Sequence, residues 1–176
     1  MNTDARRATD GLGIWGGGIA GGLVGGIGMG LVLHLGANQI HLLGAFVGHP
    51  TVLGGWVAHL TFSVLFGMAF AAVVSSPLLE PFTETFTSVV GLGVTYGVLL
   101  GLFAGGLLLP LSLARFGVGV YPAPFLPLPG VAGELLFALL LALAHLVYGV
   151  LLGSVYAMIN GLAPAGVVER VPALGR

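Results

Sequence analysis

Two histidines at matching positions are the side chains of this sequence with the most chemistry to offer. His59 and His145 each follow an alanine and precede a leucine, inside long apolar runs. A neutral imidazole has one donor and one acceptor nitrogen, so it can ligate a metal or bond to a backbone carbonyl. Because burying it in an apolar surrounding is costly, such a pair is a functional hypothesis by default.

Two interpretations of this pair stay open. Level with each other on related helices, His59 and His145 could be the axial ligands of a b-type haem, or two ligands of a copper or zinc ion, joined by His34. Alternatively, each imidazole donates to a carbonyl or hydroxyl of a neighbouring helix and stabilises packing. We take the packing interpretation as the default and therefore predict no cofactor, with haem b or a metal ion as the alternative.

Other chemistry is excluded by composition. The chain has no cysteine, and its two aspartates, Asp4 and Asp10, lie in the N-terminal tail, so neither a thiol nucleophile nor a Ser-His-Asp triad is predicted. All five basic residues are arginine and the net charge is −1, which leaves no basic surface for nucleic acid. We therefore expect no enzymatic activity and no nucleic-acid partner.

The elements that must position the histidines are membrane helices. Hydrophobic residues make up 57% of the chain and charged residues 6%. Four apolar stretches, 12–35, 51–74, 88–113 and 131–160, are long enough to cross about 30 Å of hydrocarbon as helices. Backbone amides in lipid must bond within their own segment, which favours helices. The predicted fold is an all-α integral membrane four-helix bundle, one domain with polar tails 1–10 and 161–176.

An internal repeat relates the two halves. Residues 58–71, AHLTFSVLFGMAFA, and 144–157, AHLVYGVLLGSVYA, are identical at seven of fourteen positions. The first and third spans echo each other through glycines at every fourth position, Gly18, Gly22, Gly26 and Gly30 against Gly93, Gly97, Gly101 and Gly105. We predict two parallel helix-hairpin repeats, about 12–75 and 88–160, related by a pseudo-two-fold axis along the bilayer normal.

Glycine stripes indicate how the helices pack. Residues four apart share a helix face, and a flat glycine surface lets helices approach closely in lipid. The predicted packing residues are Gly17, Gly21, Gly25, Gly18, Gly22, Gly26, Gly93, Gly97, Gly101, Gly105, Gly67 and Gly153. A single bundle need not use both grooves of the first helix, and a spare groove would serve a homo-oligomer or a larger membrane complex.

Arginine positions predict the orientation. Arg6, Arg7, Arg170 and Arg176 flank the termini, whereas only Arg115 lies in a connection on the opposite side, so both termini are predicted to be cytoplasmic in the cell membrane. The first connection, 36–50, is expected to form a short interfacial helix. The proline-rich segment 121–130 is expected to lie extended along the membrane surface.

The repeated motif also carries a resemblance. HLxFxxxxGxxFA and HLVYGVLLGSVYA, with Gly55 and Trp56 just ahead of the first, resemble a family of small, uncharacterised four-helix membrane proteins common in archaea. The resemblance covers most of the chain. It implies the fold and a membrane location, and it brings no activity and no functional residues.

Three functions follow as hypotheses. The leading one is a structural or accessory membrane subunit that packs through its glycine stripes. The alternatives are a haem- or metal-binding redox protein that uses the paired histidines and a small transporter or channel, the last suggested by the parallel repeat.

Overall fold

The computed structural model describes residues 3–108, 110–111, 126–162 and 164, with side chains from residue 13 onward. This part holds the helices α1 (Thr3–Leu31), α2 (Ile40–Ala45), α3 (Val52–Val74), α4 (Phe86–Phe103) and α5 (Val131–Ile159). π-Helical turns extend α1 over Val32–Gly36 and α4 over Ala104–Leu108, and a 3₁₀ helix, Pro77–Phe82, joins α3 to α4. The described residues contain no β-strand, so the all-α prediction is confirmed.

Four helical stretches are long and apolar enough to cross a membrane: Gly13–Gly36, Val52–Val74, Phe86–Leu108 and Val131–Ile159. They match the predicted spans closely. The third begins two residues earlier than predicted, and the predicted end of that span, residues 112–113, lies outside the described residues. The proline-rich segment lies largely outside them too, since the description resumes at residue 126. A short helix in the first connection, predicted for 36–50, is confirmed by α2.

Side-chain caps fix where α3 and α4 begin. The hydroxyl oxygen of Thr51 accepts from the backbone N–H of Gly54 at 3.0 Å, and that of Thr85 accepts from Ser88 at 3.2 Å. Each bond satisfies one of the amide groups that a helix start leaves without an intrahelical partner. The cap at Thr85 explains why the third span starts at Phe86 and not at Ser88.

Helix α1 lies between two others. It packs against α3 on one side and against α5 on the other, and α5 in turn packs against α4. Helix α2 covers the first turns of α3. By contrast, α3 and α4 touch at few points, so the described part of the bundle is open between them.

Both glycine grooves of α1 meet helices of the same chain. A Cβ at Gly18 or Gly22 would lie 2.8 or 2.5 Å from carbonyl oxygens of α3, those of Gly67 and Ser63. The other groove faces α5, where a Cβ at Gly21 would lie 2.9 Å from the Leu152 carbonyl oxygen. A Cβ at Gly26 would likewise lie too close to α3, and a Cβ at Gly17 or Gly25 would lie too close to residues of α5 or its C-terminal cap. Neither groove is left over for a second copy.

Helix α4 has one glycine groove, and it faces α5. A Cβ at Gly97 would lie 2.5 Å from the His145 carbonyl oxygen, and one at Gly101 would lie 2.9 Å from the His145 ring. Gly93 lies against Gly149 and Gly153, and a Cβ at Gly105 would lie 2.6 Å from the Leu141 side chain. Close approach is therefore built into the α4–α5 pair as it is into α1–α3.

The contacts pair these glycines differently from the sequence alignment. Gly30 lies against the ring of His59 as Gly101 lies against the ring of His145. Gly22, Gly26 and Gly30 therefore correspond by contact to Gly93, Gly97 and Gly101, one helical turn away from the alignment made by sequence.

This register explains the opening in the bundle. When the two helices are matched by these contacts, Gly21 and Gly25 of α1 correspond to Leu92 and Tyr96 of α4, whose side chains are half-buried. Such side chains hold α3 and α4 apart, whereas glycine lets α1 and α5 meet. The centroid of the Tyr96 ring lies 5.4 Å from that of Phe70, with the two rings tilted by 58°, and Phe70 is among the most buried large side chains of the described part.

Candidate functional site

A cavity of about 410 Å³ occupies one half of the bundle. Its walls come from the last turns of α1 and α4 and from the first and middle turns of α3 and α5, and residues around α2 cover its end. Apolar side chains form most of its surface, among them Met29, Phe62, Phe66, Leu100 and Phe137. The polar residues of the lining are Gln39 beside α2, His59 and Ser63 on α3, and His145 and Tyr148 on α5.

His59 is held against α1. Its side chain is 4% exposed, and Nε2 lies 2.8 Å from the backbone oxygen of Gly26. A carbonyl oxygen only accepts, so Nε2 donates and Nδ1 carries the lone pair of the neutral ring. Cδ2 also faces α1, since it lies 3.0 Å from the position of a Cβ at Gly30. Nδ1, on the opposite edge of the ring, is therefore turned away from α1.

His145 is held by its own helix. The side chain is 3% exposed, and Nδ1 donates to the backbone oxygen of Leu141, one turn earlier in α5, at 2.9 Å. Nε2 then carries the lone pair and points away from that carbonyl. Gly101 on α4 makes room for the ring. The two histidines thus line one cavity, but with opposite ring nitrogens as acceptors.

Two tyrosines that were not singled out from the sequence tie α3 to α4 and to α5. Tyr148 of α5 donates its hydroxyl to the Ser63 backbone oxygen at 2.7 Å, and Tyr96 of α4 donates to the Phe66 oxygen at 2.9 Å. Both acceptors belong to α3. The signal was available, because a buried tyrosine hydroxyl needs a partner and these two lie in apolar spans.

His34 is not brought to the pair. It is half-buried at the end of the first span and does not line the cavity. The Trp56 ring contacts both His34 and His59, with centroid distances of 6.1 Å in each case. His34 therefore adds no third nitrogen to the cavity.

The lining does not suit the cofactors considered from the sequence. In residues 3–108, 110–111, 126–162 and 164, no three His, Cys, Asp or Glu side chains come together as a metal site. A haem would bring two propionates, and the described lining residues include no arginine or lysine to meet them. The cavity instead suits an apolar guest with few polar groups.

Comparison with known proteins finds no family model, no curated protein and no solved structure that matches this chain. The resemblance to small four-helix archaeal membrane proteins stays a prediction. The function is therefore argued from the cavity.

Proposed function

We propose that this chain is a multi-pass membrane protein that binds a lipid-soluble small molecule inside its helix bundle. The observation that carries the proposal is the apolar cavity of about 410 Å³ that two buried histidines share. Small-molecule sites have volumes of about 300–1,000 Å³ and combine apolar walls with a few placed polar groups. The cavity has both properties.

The opening between α3 and α4 supports entry from the bilayer. Two residues at the wall of the cavity, Phe62 of α3 and Leu108 after α4, are 41% and 38% exposed. Around them the long helices present mainly apolar side chains outward, as a lipid-facing surface requires. A lipid-soluble molecule would reach the cavity sideways without crossing a polar surface.

The other hypotheses rest on weaker support. The glycine stripes motivated an accessory subunit, but they pack against helices of this same chain and so give a partner no groove. The redox hypothesis lacks a suitable ligand set in the described cavity lining. A transporter shares its first step, binding from lipid, with our proposal.

We also infer the topology and the duplicated hairpin. In support, α1 and α4 both line the cavity with their last turns, whereas α3 and α5 do so with their first and middle turns, as two parallel hairpins would. Both termini then share one side of the membrane, and the excess of flanking arginines favours the cytoplasm. Arg115, Arg170 and Arg176 and the side chains of Arg6 and Arg7 lie outside the described residues.

Photolabelling tests the proposed cavity binding. A decylbenzene probe that carries a diazirine is incorporated with the protein into nanodiscs, irradiated, and the labelled peptides are mapped by mass spectrometry. We expect labels on the cavity-lining segments of α3, α4 and α5. Ala104→Phe, which fills the cavity, should abolish this labelling, whereas Ala142→Phe, on an exposed position of α5 outside the cavity, should leave it unchanged. Equal labelling of both variants would contradict the proposal.

A further inference from the structure

We infer that the guest of this cavity carries a hydrogen-bond donor, a neutral hydroxyl on an apolar frame, which donates to the accepting ring nitrogen of either His59 or His145. This inference rests on the proposed cavity binding and names the chemical class of the ligand. Its basis is the set of hydrogen bonds around the polar side chains of the cavity.

The donors of the two histidines and of Tyr148 are already used, and the other polar residues of the lining are Ser63 and Gln39. His59 gives its ring N–H to Gly26, His145 gives its ring N–H to Leu141, and Tyr148 gives its hydroxyl to Ser63, in each case to a backbone oxygen. A neutral imidazole has one N–H only. The rings are neutral because a charge in this apolar surrounding would be costly. Each ring can therefore only accept a further hydrogen bond.

Both accepting nitrogens are placed to face a guest. Nδ1 of His59 is on the ring edge turned away from α1, and Nε2 of His145 points away from the carbonyl to which the ring is bonded. Both residues belong to the cavity wall and lie on different helices. Among residues 3–108, 110–111, 126–162 and 164, no hydrogen bond reaches either nitrogen.

The polarity of the site selects among ligand classes. A ketone, an ether or an ester would bring a lone pair against the lone pairs of the two rings, so it gains no bond from either histidine and leaves both accepting nitrogens unsatisfied. An ammonium group would donate, but it would bring a charge into an apolar cavity, at a high desolvation cost. A phenol or alcohol donates without charge, and an apolar frame fills the rest of the cavity.

A matched ligand series tests this. The competitors are 4-decylphenol, 4-decylanisole and decylbenzene, each scored by how well it displaces the diazirine probe at equal mole fraction in the bilayer. The phenol and the anisole differ only in whether the oxygen carries a proton or a methyl group. We expect the phenol to compete about tenfold better than the anisole, the effect of roughly one hydrogen bond to a buried acceptor.

Two histidine variants test which side chain causes the preference for the phenol over the anisole. His145→Phe keeps a ring but removes the accepting nitrogen, so the preference for the phenol should fall to about half or less of its wild-type ratio. His49→Phe, on an exposed histidine outside the cavity, should keep the full ratio. If His145→Phe does not fold, the ratio measured on the wild-type protein still decides.

The outcomes separate the two proposals. Equal competition by phenol and anisole would overturn the inference on ligand class and leave cavity binding intact. Preference for the anisole would overturn it as well. Failure of all three compounds to displace a probe that labels the cavity walls, or the absence of such labelling, would overturn cavity binding itself.

Discussion

His59 and His145 lie in similar sequence segments but bond to carbonyl oxygens of different kinds. His59 makes the bond to a neighbouring helix that the packing interpretation predicts, whereas His145 bonds to its own helix. The sequence shows that both imidazoles are buried, because each lies within an apolar span. It does not show which carbonyl each ring meets, since that depends on rotamers and helix distances set by the whole bundle.

This asymmetry predicts unequal stabilities of two alanine variants. Both side chains are almost fully buried, so the truncation itself should cost His59→Ala and His145→Ala similar amounts. His145→Ala loses a bond within its own helix, which can also form when the helices are apart, whereas His59→Ala loses the bond that ties α3 to α1. We therefore expect the free energy of unfolding of His59→Ala to be lower by about a further 1 kcal/mol. Denaturant unfolding in mild detergent measures both. Equal losses would show that the cross-helix bond contributes nothing.

Tyr148 offers a second test at the scale of single residues. Tyr148→Phe removes only the hydroxyl that donates to Ser63, and we expect a loss of about 0.5–1.5 kcal/mol. Tyr148→Ala empties a fully buried site and should cost about 3–5 kcal/mol. Thermal unfolding of the two variants beside the wild type distinguishes them. If Tyr148→Phe were as unstable as Tyr148→Ala, the hydroxyl would contribute far more than one hydrogen bond does, and the expectation would be wrong.

At the scale of helices, hydropathy predicted the four long segments well because spanning lipid imposes a minimum apolar length. The pairing of the glycines of α1 with those of α4 was harder to predict from the sequence. Glycines repeated at every fourth position match equally well after a shift of one turn, so sequence comparison cannot fix the register, and only the contacts do. The cavity could not be predicted for the same reason, since it depends on which bulky residues of α4 stand opposite the glycines of α1.

Two glycines of α1 make a matched pair for testing close packing. A Cβ at Gly22 would lie 2.5 Å from the Ser63 carbonyl oxygen, whereas a Cβ at Gly16 meets nothing within 4 Å in the described structure. Gly22→Ala must therefore push α1 and α3 apart, at a cost of about 1–3 kcal/mol. Gly16→Ala should be neutral or stabilise slightly, because alanine favours the helix. Thermal unfolding of both variants gives the answer, and similar values would refute the packing argument.

For the whole molecule, the proposed topology predicts which loops face outward. The chain has no cysteine, so single-cysteine variants can be labelled without background. His49 and Glu80 lie beyond opposite ends of α3, which places them on opposite sides of a membrane that α3 spans. We expect a membrane-impermeant maleimide on intact cells to label His49→Cys and to spare Glu80→Cys until the cells are permeabilised. The reverse pattern would place the termini outside.

The position of α1 between α3 and α5 has a consequence for biosynthesis. If the chain is inserted into a membrane during synthesis, α1 and α3 are available to each other before α5 is made. Until then the glycine face that α1 later turns to α5 would border lipid, with few side chains to fill the gap. Of the described helices, α1 would therefore wait for a partner that is made after α3 and α4, and an insertion factor that shields flat helix faces would remain bound to α1 during that time.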